Sequence, residues 1–244
     1  MRCQPQSNHQ VYIWLKNEQL CLLCDERTDA ALPICVACEA ELPWLGDHCL
    51  CCALPLPMAD LTCAQCSRQT PAFSAVLAPW HYDFPIDSLV TRFKHQSQWP
   101  MGHLLAELLG HYLQHRFDDG LPRPDCLLAV PLSSKRLRQR GYNQAAMLAS
   151  WLSRQLQLPV DEHSLLRIRD TPAQQGLDAK ARKRNLRGAF ALADAEKLKG
   201  RHVALVDDVL TTGSTADVIA QLLIRAGVKR VDVYCLARTP KPED

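Results

Sequence analysis

A chain of 244 residues, 47% hydrophobic and 22% charged, carries enough apolar mass for a folded core, which excludes wholesale disorder. Its length suits one substantial domain with a smaller appendage. Lysines and arginines number 28 against 26 acids, a net charge of +2, so any site for a polyanion must come from local clustering rather than overall balance.

The opening residues, MRCQPQSNHQVYIWLKN, contain no apolar run of secretory type, and no stretch of about 18 apolar residues follows. The expectation is a cytoplasmic protein without membrane insertion, residues 1–20 forming an N-terminal segment. From Cys21 the chain changes character. Pairs of cysteines two residues apart (Cys21 and Cys24, Cys35 and Cys38, Cys49 and Cys52, Cys63 and Cys66) recur at a constant shift of fourteen. Thiolates so spaced face one ion across a tight turn, and four sulfur ligands complete zinc's tetrahedron. The eight predict a zinc-binding module over 21–69 with one or two structural ions, consecutive pairs being preferred as partners over interleaved ones. Without a secretory signal, metal binding is a better reading than a disulfide framework. No histidine or carboxylate joins the beat, so no open position for a catalytic water is expected. Cys51 falls inside a knuckle, while Cys126 and Cys235 lie outside the beat and read as small buried apolar residues.

A short linker, SRQTPAF, leads into a main domain expected over 70–244. SAVLAPWHY reads as a strand, Ile86, Leu89, Val90 and Phe93 recur at helical spacing, and a second amphipathic helix is predicted from about His103 to His115. CLLAVP at 126–131 reads as a buried strand, NQAAMLASWLSRQL as a helix and HVALVDD as a second buried strand. A helix follows over roughly Thr215–Ala226, Gly227 acting as its stop, before VDVYCLA supplies a further strand. Strands alternating with helices predict an α/β domain with a parallel sheet.

Ligands of such sheets bind beyond the carboxyl ends of strands, where VALVDD runs into TTGST and then a helix. Backbone donors from Thr211 to Thr215, hydroxyls and the positive helix end suit a phosphate monoester, and Gly213 lets the loop close tightly. Asp207 and Asp208 offer acceptors for two adjacent hydroxyls of a ribose attached to that phosphate. Two basic segments contain no acid: SSKRLRQRGYNQ and KARKRNLRG. Their cations suit a diphosphate, nucleic-acid phosphates or plain solvated faces. Aromatic residues make up only 6%, and no alternation of aromatic and basic residues predicts a base-stacking surface. His103, His111 and His115 read as a solvated or amphipathic face rather than as ligands.

VALVDDVLTTGST resembles the thirteen-residue signature of type I phosphoribosyltransferases, with nearly every diagnostic position filled. The resemblance implies that Asp207 and Asp208 bind the ribose hydroxyls of 5-phosphoribosyl-1-diphosphate. Thr211, Thr212, Gly213, Ser214 and Thr215 would take its 5-phosphate, with magnesium at the diphosphate. In that fold the segment after the strand ending at Val130 and Pro131 presents the diphosphate loop, which assigns Ser133, Ser134, Lys135, Arg136 and Arg140 to it. With RGYNQ, FKH at 93–95, RKRNLRGAF at 182–190 and the cysteine module, the chain resembles the ComF family of competence and DNA-utilisation proteins, including its GntX-like members. That resemblance implies a factor for DNA uptake, natural transformation or use of external DNA, with single-stranded DNA and DNA-uptake or DNA-processing proteins as partners. Lys94, Arg182, Lys183 and Arg184 are assigned to DNA or diphosphate. The alternative is an active phosphoribosyltransferase that passes phosphoribose to an unidentified acceptor and releases diphosphate; no catalytic residue is assigned.

Overall fold

The computed structural model describes residues 19–169, 186 and 188–240. Two compact units separate between Glu41 and Leu42. In the smaller, β1 (Gln19–Leu20) and β2 (Arg27–Thr28) form an antiparallel ribbon. Cys21 and Cys24 sit in its turn, which closes as the amide of Asp25 donates to the Cys21 carbonyl at 2.9 Å. Helix α1 (Val36–Ala40) is capped by Cys35, whose sulfur accepts from the Cys38 amide at 3.5 Å.

The larger unit opens with the same construction shifted by 28 residues. Cys49 and Cys52 occupy a turn closed by the Ala53 amide on the Cys49 carbonyl at 2.9 Å. Helix α2 (Ala64–Arg68) is capped by Cys63 as α1 is by Cys35. Equivalent residues even share a left-handed backbone, with φ at 59° for Asp25 and 53° for Ala53. The fourteen-residue beat is thus a two-part structural repeat, knuckle then capped helix.

The main elements follow as β3 (Ala75–Leu77), β4 (Trp80–His81), α3 (Ile86–His95), α4 (Trp99–Asp118), β5 (Cys126–Ala129), α5 (Ser134–Arg140), α6 (Gln144–Leu156), β6 (Leu165–Arg167), β7 (Phe190–Leu192), β8 (His202–Leu210), α7 (Ser214–Arg225) and β9 (Arg230–Arg238). The central sheet runs β3-β9-β8-β5, every pairing parallel, and β4 continues along β9 beyond β3. The predicted strand SAVLAPWHY is therefore two short pieces on one edge. Val203 to Val206 and Val231 to Ala237 are buried throughout, as strands covered on both faces must be, so they read as near-continuous apolar runs, broken only by Asp232, rather than alternating ones. Cys126 and Cys235 are buried among these strands, as their isolation from the cysteine beat suggested.

Helix α6 buries Ala145, Leu148, Ala149, Leu152 and Leu156, three or four residues apart on one face, against β5, β8 and α4. Helix α7 packs Ile219, Ala220 and Leu223 toward β7 and β9. Both β5 and β8 consequently deliver their carboxyl ends to one edge of the sheet, where α6 and α7 begin. Strands β6 and β7 pair antiparallel outside the main sheet, a hairpin that short runs of LLR and FAL did not announce. No helix among the described residues is long and apolar enough to cross a membrane.

Candidate functional site

A cleft of about 630 Å³ opens at the carboxyl ends of β5 and β8. Strand β8 runs past the aspartates to Leu210, so Asp207 and Asp208 stand within its last turn of pairing, Asp207 opposite Cys235. The Asp208 amide donates to Asp207 Oδ1 at 2.9 Å and the Val209 amide to Asp208 Oδ1 at 2.6 Å, fixing both carboxylates at the cleft wall. Lys94, from the end of α3, places Nζ 2.9 Å from Asp208 Oδ1.

The two acids are not equivalent. Burial, then the neighbouring Asp208 charge, pushes the Asp207 carboxyl up to about 7, with the Asp208 amide and Lys94 pulling the other way. A carboxyl raised from its ordinary value near 4 contributes stability that is complete below about pH 4 and lost as pH rises through 7. The free protein should therefore melt at a lower temperature at pH 8 than at pH 5, and Asp207→Asn should remove most of that difference in a thermal-melt series.

Beyond β8, Thr211, Thr212 and Gly213 form the turn into α7. Gly213 adopts φ of 72°, a left-handed conformation that suits glycine, and Phe73 packs behind it. The hydroxyls of Thr212 and Ser214 lie 2.9 Å apart, and Thr212 Oγ1 accepts from the Ser214 amide at 3.3 Å. Among the described residues, the amides of Thr211, Thr212 and Gly213 find no protein acceptor. Three successive bare donors at the start of a twelve-residue helix make an anion cradle. Thr211 and Thr215 line the cleft itself.

The opposite wall comes from α5 and α6. Arg136 and Arg140 line it, and burial holds the Arg140 guanidinium below its ordinary value, with Asp208 and Tyr142 pulling the other way and Arg136 adding to the lowering. Ser133 stands at the head of α5. It is buried and caps α5, its Oγ accepting from the Arg136 amide at 3.3 Å, while Ser134 and Lys135 are exposed in the first turn. Arg182, Lys183 and Arg184 fall outside the described residues.

Three lining residues were not singled out from sequence. Asn143 caps α6 and ties it to β5, Nδ2 donating to the Val130 carbonyl at 3.1 Å. Gln144, only 1% exposed, has an Nε2 group without a partner among the described residues, at the cleft wall. A buried amide donor left open costs about 1–3 kcal/mol, so it marks a place where a ligand acceptor would be answered. Arg167, at the end of β6, adds another cation. RGYNQ carried a signal for the first two through its helix-capping asparagine; nothing near Arg167 did.

The cysteines gather as two quartets, Cys21, Cys24, Cys35 and Cys38 in the small unit and Cys49, Cys52, Cys63 and Cys66 in the large one, the sulfurs of each within 4.8 Å of one another. Zinc–sulfur bonds of about 2.3 Å at tetrahedral angles separate sulfurs by about 3.8 Å. Cys24 and Cys35 stand 3.7 Å apart, as do Cys52 and Cys63, so both quartets could hold structural zinc. Each also prepares one thiolate. Burial raises Cys21, but the amides of Cys35, Leu23 and Cys24 outweigh it and bring the thiol down to about 6. Cys49 falls to about 7 in the same way, against burial, through the amides of Cys63, Cys52 and Cys51. Cys51 itself stays outside the quartet, its sulfur directed at the Phe73 carbonyl, 3.8 Å away.

A parallel sheet with a bare-amide loop after paired acids defines a phosphoribosyltransferase-type domain, and residues 143–244 match the family model for the phosphoribosyl transferase domain. Competence protein F from Haemophilus influenzae is 37% identical over 90% of this chain and 90% of its own. The DNA utilization protein YhgH of Salmonella typhi is 39% identical over 70% of this chain and 75% of its own. Competence protein ComFC of Bacillus subtilis is 31% identical over 41% of this chain and 39% of its own. The chain belongs to the ComF family of competence and DNA-utilisation proteins.

Proposed function

We propose that this protein binds 5-phosphoribosyl-1-diphosphate at the cleft and serves the uptake or use of external DNA. The observation that carries the ligand is that two carboxylates at the cleft wall are followed directly by a loop of three bare amides, whose Thr211 and Thr215 line the same cleft. The loop from Thr211 to Thr215 takes the 5-phosphate, and Asp207 and Asp208 accept from the ribose hydroxyls. The diphosphate lies toward Arg136, Arg140 and the open Gln144 amide, with Ser133 holding α5 in place and Ser134 and Lys135 beside it. Magnesium there neutralises the charge that these cations leave uncompensated.

The DNA role rests on the names of the relatives, which speak for competence and DNA utilisation rather than for transfer of phosphoribose to an acceptor. In this reading the protein works in the cytoplasm beside DNA-uptake or DNA-processing proteins. Lys94 serves the cleft through Asp208, whereas Arg182, Lys183 and Arg184 are left for single-stranded DNA or the diphosphate. Zinc in the two quartets is structural.

The test is genetic. Asp207→Asn with Asp208→Asn, introduced in the host chromosome, should lower transformation or growth on DNA about as far as deletion does, at unaltered protein level. Full function in that strain would reject a role for the cleft in DNA use.

A further inference from the structure

One buried cation belongs to neither the cleft nor the quartets, yet touches the frame of both. Arg238, the last residue of β9, is 5% exposed. Its Nε donates to the Cys52 carbonyl at 2.9 Å, inside the second knuckle. Its Nη1 donates to the Leu210 carbonyl at 3.1 Å, to the Thr211 carbonyl, and to the Thr239 carbonyl at 2.6 Å. The charge is thus answered by main-chain oxygens from the cysteine knuckle, the start of the phosphate loop and its own strand end. Only a planar fork with several donors spans such separate segments; an ammonium is a single point.

The geometry of the peptide unit gives this arrangement a consequence. A trans peptide is planar, with the carbonyl of one residue and the amide of the next pointing in opposite directions. Drawing the Leu210 and Thr211 carbonyls back onto Arg238 turns the Thr211 and Thr212 amides the other way. Those are two of the three amides without a protein acceptor. The guanidinium therefore sets their direction from behind.

Two further links join the knuckle to the same loop. Phe73, whose carbonyl faces the Cys51 sulfur, packs behind Gly213, and the Ala72 amide donates to Asp217 Oδ1 at 2.9 Å in the first turn of α7.

We infer that Arg238 is a positioning residue for the phosphate loop, and that it couples the loop to the second cysteine quartet, so that the metal state of Cys49, Cys52, Cys63 and Cys66 sets the affinity of the cleft for a phosphate monoester. The inference rests on the reading of the loop as the 5-phosphate site. Metal binding fixes the Cys52 carbonyl, Arg238 transmits that position, and the loop amides hold their aim. Loss of either member slackens the loop without touching any group that meets the ligand.

The experiment uses full-length, zinc-loaded protein and two readouts: amide exchange by NMR without ligand, and calorimetric titration with 5-phosphoribosyl-1-diphosphate and magnesium. Ala72 and Ser214 are the reporters, because their amides are bonded across the coupled segment and neither adjoins Arg238. In Arg238→Gln, and separately in Cys63→Ser, both reporters should exchange roughly tenfold faster or more, while the amides of α4 keep their rates. Affinity should fall by a similar factor. Arg238→Lys, which keeps the charge but not the fork, should lie between. Faster reporters with no ligand uptake by the unsubstituted protein would sustain the coupling and reject the ligand reading. Unchanged reporter rates in folded Arg238→Lys or Arg238→Gln, or rates rising equally in α4, would overturn the coupling.

Discussion

Removing zinc with a strong chelator at neutral pH should unfold the small unit and lower the melting temperature of the large one by roughly 10 °C or more. Among its described residues, only Cys21, Thr28 and Ile34 of the small unit are buried, too little apolar surface to offset the entropy of ordering the segment. Metal ligation of this kind supplies about 10–16 kcal/mol, comparable with the whole stability of an ordinary domain. The large unit has its own sheet and survives, but Ala53 is buried in one core with Phe73 and the sheet, and Cys51 and Cys52 pack against that core, so the loss spreads beyond the knuckle. Native mass spectrometry should count two zinc ions per chain before treatment. A melting curve unmoved by complete removal of zinc would show that the quartets do not hold the fold.

Asp207→Asn with Asp208→Asn should weaken 5-phosphoribosyl-1-diphosphate binding about 100-fold or more in a calorimetric titration. Hydrogen bonds to a charged acceptor contribute about 1.5–3 kcal/mol each, and both acceptors become neutral amides at once. The fold should not suffer. Replacing the two acids relieves the repulsion that helps push Asp207 up to about 7, and an asparagine at 208 still offers Lys94 an oxygen. Retention of zinc and of the melting temperature in the variant separates loss of the site from loss of the protein. Affinity within a few-fold of the unsubstituted protein would mean that the acids do not face the sugar.

What the sequence made legible was whatever local chemistry dictates. An apolar strand, two acids and TTGST fix a strand, a loop and a helix start within thirteen residues, because each step depends on neighbours in the chain. The cysteine beat likewise gave both quartets, since ligand spacing is itself local. Contacts between distant segments were not legible. Arg238 reads as the end of an apolar strand, and only the register placing it opposite Leu210 puts its guanidinium under the loop. Gln144 reads as an ordinary helix residue, and its open amide becomes visible only when its surroundings are assembled. Even spacing also gives no hint that the second quartet packs within the same unit as the sheet while the first does not. The segment after Pro131 was read as a diphosphate loop, and the structure forms a short helix there with Ser133 as cap. Serine ahead of a run of lysine, arginine and leucine is an N-cap signal, and the capped helix still brings Arg136 and Arg140 to the cleft.

The most direct test of the account is a calorimetric titration of zinc-loaded, full-length protein with 5-phosphoribosyl-1-diphosphate in the presence of magnesium. Saturable binding of one ligand per chain, competed by ribose 5-phosphate, is the predicted result. No heat and no amide shift at Thr211 to Thr215 in a folded protein carrying both zinc ions would contradict it.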